Sequence, residues 1–81
     1  MSGADLAARL VRHLEDLAAR EAESRAELIS VTITYAQSGE AGAIAASVAR
    51  KTRTMLFLTV EARDGDGAVL ARADSVHRLL S

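Results

Sequence analysis

Three cationic side chains, Arg50, Lys51 and Arg53, lie within residues 50–53 and directly precede the most apolar run of the chain. Guanidinium and ammonium groups bind phosphate well, because each donates charge-assisted hydrogen bonds to its oxygens. Charged residues also occupy ordinary surface turns, where they contact only water. The cluster is therefore a candidate phosphate site, and a solvated turn between two strands is the alternative.

Acidic residues in the first part of the chain are the second group with possible chemistry. Asp5 lies near the expected start of a helix, where the helix N-terminus polarises a bound carbonyl group. This position makes Asp5 a candidate catalytic residue, with Asp16 and Glu15 as further acids on the same helix. The alternative for Asp5 is helix capping, and for Asp16 and Glu15 it is a solvated helix face.

Other kinds of site have little support in the sequence. His13 and His77 lie far apart and there is no cysteine, so we expect no metal site and no thiol chemistry. No G-x-S-x-G motif is present, and residues 64–67, Asp-Gly-Asp-Gly, lack the further ligands of a calcium loop. A net charge of −1 and only two aromatic residues, Tyr35 and Phe57, argue against a nucleic-acid partner. No resident cofactor is expected.

Length and composition indicate one small globular domain, residues 1–81. The chain is 49% hydrophobic and 26% charged, and a chain this short forms one core. No apolar run approaches the roughly 18 residues that cross a bilayer, and no signal peptide is recognised. Together with the absence of cysteine, this predicts a cytoplasmic protein without a membrane partner. A domain of this size buries little surface, so we expect a homodimer or homotetramer.

The hydrophobic pattern predicts one helix followed by four strands. Leu6, Leu10, Leu14 and Leu17 recur at helical spacing, so a helix is expected from about residue 4 to 26. From residue 28 the period changes to two, and strands are predicted at about 28–36, 43–49, 54–63 and 68–78. Asp-Gly at residues 64–67 is a strong hairpin signal, and the connections are too short for parallel crossovers. An antiparallel meander is expected.

Small side chains in the predicted strands indicate how the helix packs. Alanine is a poor strand former, and its abundance there is explained if a helix lies close to the sheet. The fold class predicted is α+β, with one long N-terminal helix packed on a curved antiparallel four-stranded sheet. The alanines concerned are residues 43, 45, 46, 49, 62, 68, 71 and 73.

Residues 42–79, GAIAASVARKTRTMLFLTVEARDGDGAVLARADSVHRL, resemble the C-terminal half of hotdog-fold acyl-CoA thioesterases of the phenylacetate-degradation type. In that family a strand that begins at a glycine leads to a basic turn, an apolar strand, a D-x-D-G hairpin and a strand similar to LVARA. Residues 29–35, ISVTITY, are similar to the strand that follows the family's central helix. The resemblance covers about residues 28–80.

The resemblance implies hydrolysis of an acyl-CoA by an activated water, in an oligomer. It also implies that the nucleotide of coenzyme A lies near the basic turn at a subunit boundary, on Arg50, Lys51 and Arg53. Family members usually have a first strand and an H-G-G turn before the helix, whose backbone groups polarise the thioester. Neither is recognised here, and Thr52 replaces the usual glycine of the turn.

Three hypotheses follow for the function. The first is a hotdog thioesterase in which Asp5 or Asp16 acts on the attacking water. The second is a catalytically silent hotdog-like protein that binds acyl-CoA or serves assembly. The third is a small α+β assembly module whose similarity to the thioesterases is coincidental.

Overall fold

The structure, a computed structural model, describes residues 2–23 and 25–80 and contains one helix followed by four strands. The helix forms because Leu6, Leu10 and Leu14 recur at helical spacing and are buried on one face. The predicted α+β class, a helix on an antiparallel four-stranded sheet, is confirmed. The elements are α1 Gly3–Glu21, β1 Arg25–Tyr35, β2 Ala43–Lys51, β3 Met55–Arg63 and β4 Val69–Leu80.

The helix ends at Glu21, so the predicted boundary near residue 26 is wrong. Ala22 already has extended backbone angles, with φ −80° and ψ 135°. Arg25 pairs with Leu80, and this pairing to β4 overrides the helix propensity of the segment. In the described part of the chain, no helix is long and apolar enough to cross a bilayer.

The sheet has the strand order β1-β4-β3-β2, and every neighbouring pair is antiparallel. The predicted meander holds for β2, β3 and β4 but is wrong for β1, which pairs with β4 instead of β2. The connection at residues 36–42 crosses the end of the sheet, over three strand spacings or roughly 14 Å. Seven extended residues span this distance easily, so connection length alone does not reveal the strand order.

The core lies between α1 and one face of the sheet, and no element of the described residues covers the other face. Leu6, Leu10 and Leu14 of α1 pack against buried residues of β3 and β4. The predicted role of the alanines is confirmed for three that are fully buried beneath the helix and wrong for four that are exposed. The buried ones are Ala62, Ala71 and Ala73, and the exposed ones are Ala43, Ala45, Ala49 and Ala68.

Candidate functional site

The basic turn does not bring its three cations together. Arg50 pairs with Phe57, on the sheet face away from α1, whereas Lys51 pairs with Leu56, on the face that α1 covers. Because paired residues of neighbouring strands point to the same side of a sheet, Arg50 and Lys51 lie on opposite sides. These two side chains are therefore not placed to bind one phosphate group together.

Lys51 instead caps the C-terminal end of α1. Its Nζ donates a hydrogen bond of 2.9 Å to the carbonyl oxygen of Glu21, the last residue of the helix. The last carbonyl groups of a helix lack intrahelical partners and carry partial negative charge, so an ammonium group stabilises them. This contact gives Lys51 a structural role that requires no ligand.

Arg53 shares a cleft with a second arginine that sequence reasoning missed. The cleft, which we call the basic cleft, has a volume of about 560 Å³ and lies beside the C-terminal ends of α1 and β4. Arg25 enters it because β1 begins directly after the helix, and it lies far from Arg53 in sequence. Neither guanidinium group has a partner among the described residues. The lining residues are Ala22, Glu23, Arg25, Arg53, Thr54, Leu79 and Leu80.

The start of α1 is capped by Ser2 and not by Asp5, for which helix capping was the alternative role. The hydroxyl oxygen of Ser2 accepts a hydrogen bond of 3.1 Å from the backbone N–H of Asp5. The N–H groups of Gly3 and Ala4 have no hydrogen-bond partner within residues 2–23 and 25–80. The first N–H groups of a helix point out of its end, so these two donors are open to a ligand.

A second cleft, which we call the N-terminal cleft, opens beside these donors. Its volume is about 260 Å³, and it lies between the start of α1 and the connection after β1. Tyr35, the last residue of β1, donates a hydrogen bond of 2.7 Å from its hydroxyl to the carbonyl oxygen of Gly3. Sequence reasoning identified neither Tyr35 nor the connection as part of a site. The lining residues are Ser2, Gly3, Leu6, Tyr35, Ala36, Gln37, Ser38 and Gly39.

The two candidate catalytic acids are exposed residues of α1 and do not meet. Asp5 lies in the first turn, next to the open donors, although it does not line the N-terminal cleft. Asp16 lies more than two turns further along, away from the buried stripe of Leu6, Leu10 and Leu14. Of the two, only Asp5 is near a group that polarises a carbonyl.

A buried polar cluster joins α1 to the sheet. His77 is 0% exposed, and its Nε2 lies 2.8 Å from Oε1 of Glu15, whose side chain is 51% exposed. The hydroxyl of buried Ser75 lies 3.4 Å from His77 Nδ1. Because Ser75 and His77 lie beneath the helix, a substrate does not reach them, and their role is structural. Within the described ranges, no three His, Asp or Glu side chains converge as metal ligands.

Comparisons with known proteins support the fold. No family model matches the chain, and no curated protein matches it. Among solved structures, the BH2602 protein of Bacillus halodurans, crystallised with CoA, has a TM-score of 0.83 and 16% sequence identity. The match covers 100% of this chain and 56% of that protein, so the chain corresponds to little more than half of its neighbour.

This likeness defines the class of the protein by its architecture. One helix packed on an open antiparallel four-stranded sheet is a hotdog-like α+β fold, as the resemblance in residues 28–80 implied. At 16% identity the match shows the fold alone.

Proposed function

We propose that this protein binds a CoA thioester, with the thioester carbonyl at the N-terminal cleft. The observation that carries the proposal is the open N–H group of Gly3, which lines that cleft, with the open N–H of Ala4 next to it in the helix. Backbone donors at a helix start stabilise a polarised carbonyl oxygen without reorganisation. The fold shared with a protein crystallised with CoA supports the choice of ligand.

The phosphate groups of the ligand are assigned to the basic cleft. Arg25 and Arg53 supply two guanidinium groups that have no partner within residues 2–23 and 25–80, and Leu79 and Leu80 supply apolar surface for the rest of the nucleotide. A guanidinium group can bind a phosphate group through two parallel hydrogen bonds, which a point charge such as an ammonium group cannot do. This revises the predicted site, because Arg53 is kept, Arg25 is added, and Arg50 and Lys51 are left out.

The two clefts of one chain lie at opposite ends of α1. A helix of 19 residues is about 28 Å long, so the clefts are separated by roughly that distance. A second copy of the chain can bring an N-terminal cleft and a basic cleft close together, if the two β1 strands pair as antiparallel neighbours. α1 and β1 run in opposite directions, so such pairing places the N-terminal cleft of each chain near its partner's basic cleft.

The edge strand β1 supports this homodimer. Its backbone groups are unpaired on one side, and open edges of this length are usually covered in folded proteins. Among residues 2–23 and 25–80, the exposed large hydrophobic side chains are Leu28 at 37%, Ile29 at 44% and Tyr35 at 50%, and all of these lie on β1. In this proposal, pairing of two β1 strands lowers the exposure of Leu28 and Ile29 and completes two ligand sites, each formed by both chains. Further pairing of such dimers would give the homotetramer, the other oligomer expected from the sequence.

Thioester hydrolysis is the second candidate function. Asp5 favours it, because this carboxylate lies in the same helical turn as the open donors. In that reaction Asp5 takes a proton from water while the water oxygen attacks the carbonyl carbon. The carbon–sulfur bond then breaks, and the thiolate receives the proton. Binding without hydrolysis remains the alternative.

Two substitutions at Gly3 test the proposal. Gly3→Pro removes one donor N–H, and it fits the fold because proline suits the first helical position and Ser2 has φ −73° and ψ 160°. Gly3→Ala is the matched control, because it adds a Cβ, which meets the Tyr35 ring at 3.7 Å, and keeps the N–H. Calorimetry with phenylacetyl-CoA and acetyl-CoA should show weaker binding by Gly3→Pro than by Gly3→Ala. Equal affinities, or a wild type that binds neither compound, would refute the proposal.

A further inference from the structure

The sheet face away from α1, which we call the outer face, carries apolar side chains that the core does not use. Phe57 pairs with Val76 and Val76 pairs with Ser30, so these three residues form one row across β3, β4 and β1. Met55 lies two residues before Phe57 and points to the same side. Phe57, Val76 and Met55 are only partly buried, and none of them belongs to the core beneath α1. Contiguous apolar surface of this kind often marks an interface with another chain.

Opposite charges lie at equal distances on either side of this row. On β4, Asp74 lies two residues before Val76 and Arg78 lies two residues after it. Side chains alternate along a strand, so all three point to the outer face, and both charged side chains are more than half exposed. Within one chain they make only long ion pairs, Asp74 with Arg72 at 3.3 Å and Arg78 with Glu27 at 3.7 Å. Exposed pairs of this kind contribute little, so both charges are available to a further partner.

A second copy of the chain fits this arrangement of charges. If a twofold axis lies in the interface along the row of Val76, each Asp74 faces the partner's Arg78, because the two residues lie equally far from the axis. Val76 then faces the partner's Val76, and Phe57 faces the partner's Phe57, so the apolar row forms the centre of the contact. Arg50 lies in the same row on the edge strand β2, where its long side chain reaches water at the rim. The outer face is therefore complementary to itself.

The same axis is compatible with pairing of two β1 strands. Ser30, which shares the row of Val76, is the middle residue of the eleven in β1. Pairing centred on Ser30 uses the whole edge, and its twofold axis is perpendicular to the sheet and crosses the same row. Two twofold axes that cross at right angles give a closed tetramer and not an open filament. The outer face of such a pair spans seven strand spacings and strands of at least nine residues, or roughly 1,000 Å², against about 800 Å² per partner in a standard interface.

We propose that two copies of this protein associate through their outer faces, with Phe57 and Val76 at the centre and Asp74 bonded to the partner's Arg78 on each side. Sheets that pack face to face lie about 10 Å apart, with their strands within roughly 30° of each other. The contact needs no ligand, and it rests on the proposed function only for the β1 pairing that makes the assembly a tetramer. It assigns a role to the sheet face that α1 leaves uncovered.

Asp74→Arg tests the inference, because it sets like charges against each other at both symmetric contacts. It should weaken association through the outer face at least about tenfold and halve the mass of the assembly at micromolar concentration. The double variant Asp74→Arg/Arg78→Asp exchanges the two charges and should restore the wild-type mass. Asp66→Arg is the matched control, because it makes the same charge change in the exposed turn between β3 and β4. Sedimentation velocity measures the mass, and circular dichroism verifies that each variant is folded.

The outcomes separate this inference from the β1 pairing. A tetrameric wild type with a dimeric Asp74→Arg variant would support both interfaces. A dimeric wild type with a monomeric variant would support the outer face and contradict the β1 pairing. An unchanged mass of Asp74→Arg, an equal loss in Asp66→Arg, or no recovery in the double variant would overturn the inference and leave the proposed function standing. A monomeric wild type would overturn both interfaces.

Discussion

Nε2 of His77 and Oε1 of Glu15 lie 2.8 Å apart and join the buried face of β4 to the middle of α1. His77 is fully buried, so this bond satisfies a ring nitrogen that water does not reach. The bond connects residues 62 positions apart and fixes where the helix sits on the sheet.

Glu15→Ala is expected to destabilise the protein by about 1–3 kcal/mol, because it leaves a buried nitrogen of His77 without a partner. For a domain of this size, each kcal/mol lowers the unfolding temperature by roughly 4–8 °C. Asp16→Ala is the matched control, since this exposed neighbour should change stability by no more than about 0.5 kcal/mol. Thermal unfolding followed by circular dichroism measures both. Equal melting temperatures would show that the bond contributes nothing.

Arg53→Ala should weaken the binding of free coenzyme A by about tenfold, because one charged hydrogen bond to phosphate is lost. Arg50→Ala should have little effect, because Arg50 lies on the sheet face away from α1 and outside the basic cleft. Arg50 and Arg53 lie three positions apart and carry the same charge, so the two substitutions change the net charge of the protein equally. Calorimetry at low and at physiological salt gives both affinities. If Arg50→Ala lost more affinity for coenzyme A than Arg53→Ala, the phosphate site would lie on the sheet face away from α1.

The protein should be a dimer or larger at micromolar concentration, because β1 offers an open edge with Leu28 and Ile29 exposed. Ile29→Lys places a charge on that edge and should shift the population toward monomer. Light scattering across a concentration series measures the association. A wild type that stays monomeric would contradict the shared site.

Mixing two defective variants tests whether one ligand site draws on two chains. Gly3→Pro impairs the N-terminal cleft and Arg53→Ala the basic cleft, so each homodimer lacks an intact site. In random mixtures half of the dimers are mixed, and each mixed dimer holds one intact site, so about a quarter of the binding capacity should return. Acetyl-CoA titration after joint refolding measures the recovery. If binding of acetyl-CoA did not recover, the ligand site would not be shared between two chains in the proposed way.

Hydrolysis, if present, should depend on Asp5. Asp5→Asn keeps the size of the side chain and removes the base, so thiol release from phenylacetyl-CoA should fall at least a hundredfold, the usual share of a general base. Asp16→Asn should leave the rate unchanged, because Asp16 lies away from the open donors. The released thiol is measured over time with a chromogenic thiol reagent. Wild-type turnover at the background rate would leave a binding protein without hydrolysis.

The candidate site was only partly visible in the sequence. Arg53 and the helix start were identified, because a cation cluster and a capping sequence are local patterns. Arg25 and Tyr35 were missed, since each reaches its cleft through the placement of β1 and neither belongs to a motif. Which of Arg50 and Lys51 lies on the side of α1 depends on a register shift in β2 between Val48 and Arg50, which local spacing does not show.

The sequence by itself determined the elements and their class, because hydrophobic period and turn residues are set within a few neighbouring positions. Leucines at helical spacing made α1, and alternating β-branched residues with a D-G-D-G turn made the strands. Only the tertiary structure decided that β1 lies beside β4, that α1 stops at Glu21, and that His77 meets Glu15. These features depend on contacts between segments that are distant in sequence. The free energy of those contacts is gained only in the folded chain, so no local sequence pattern reveals it.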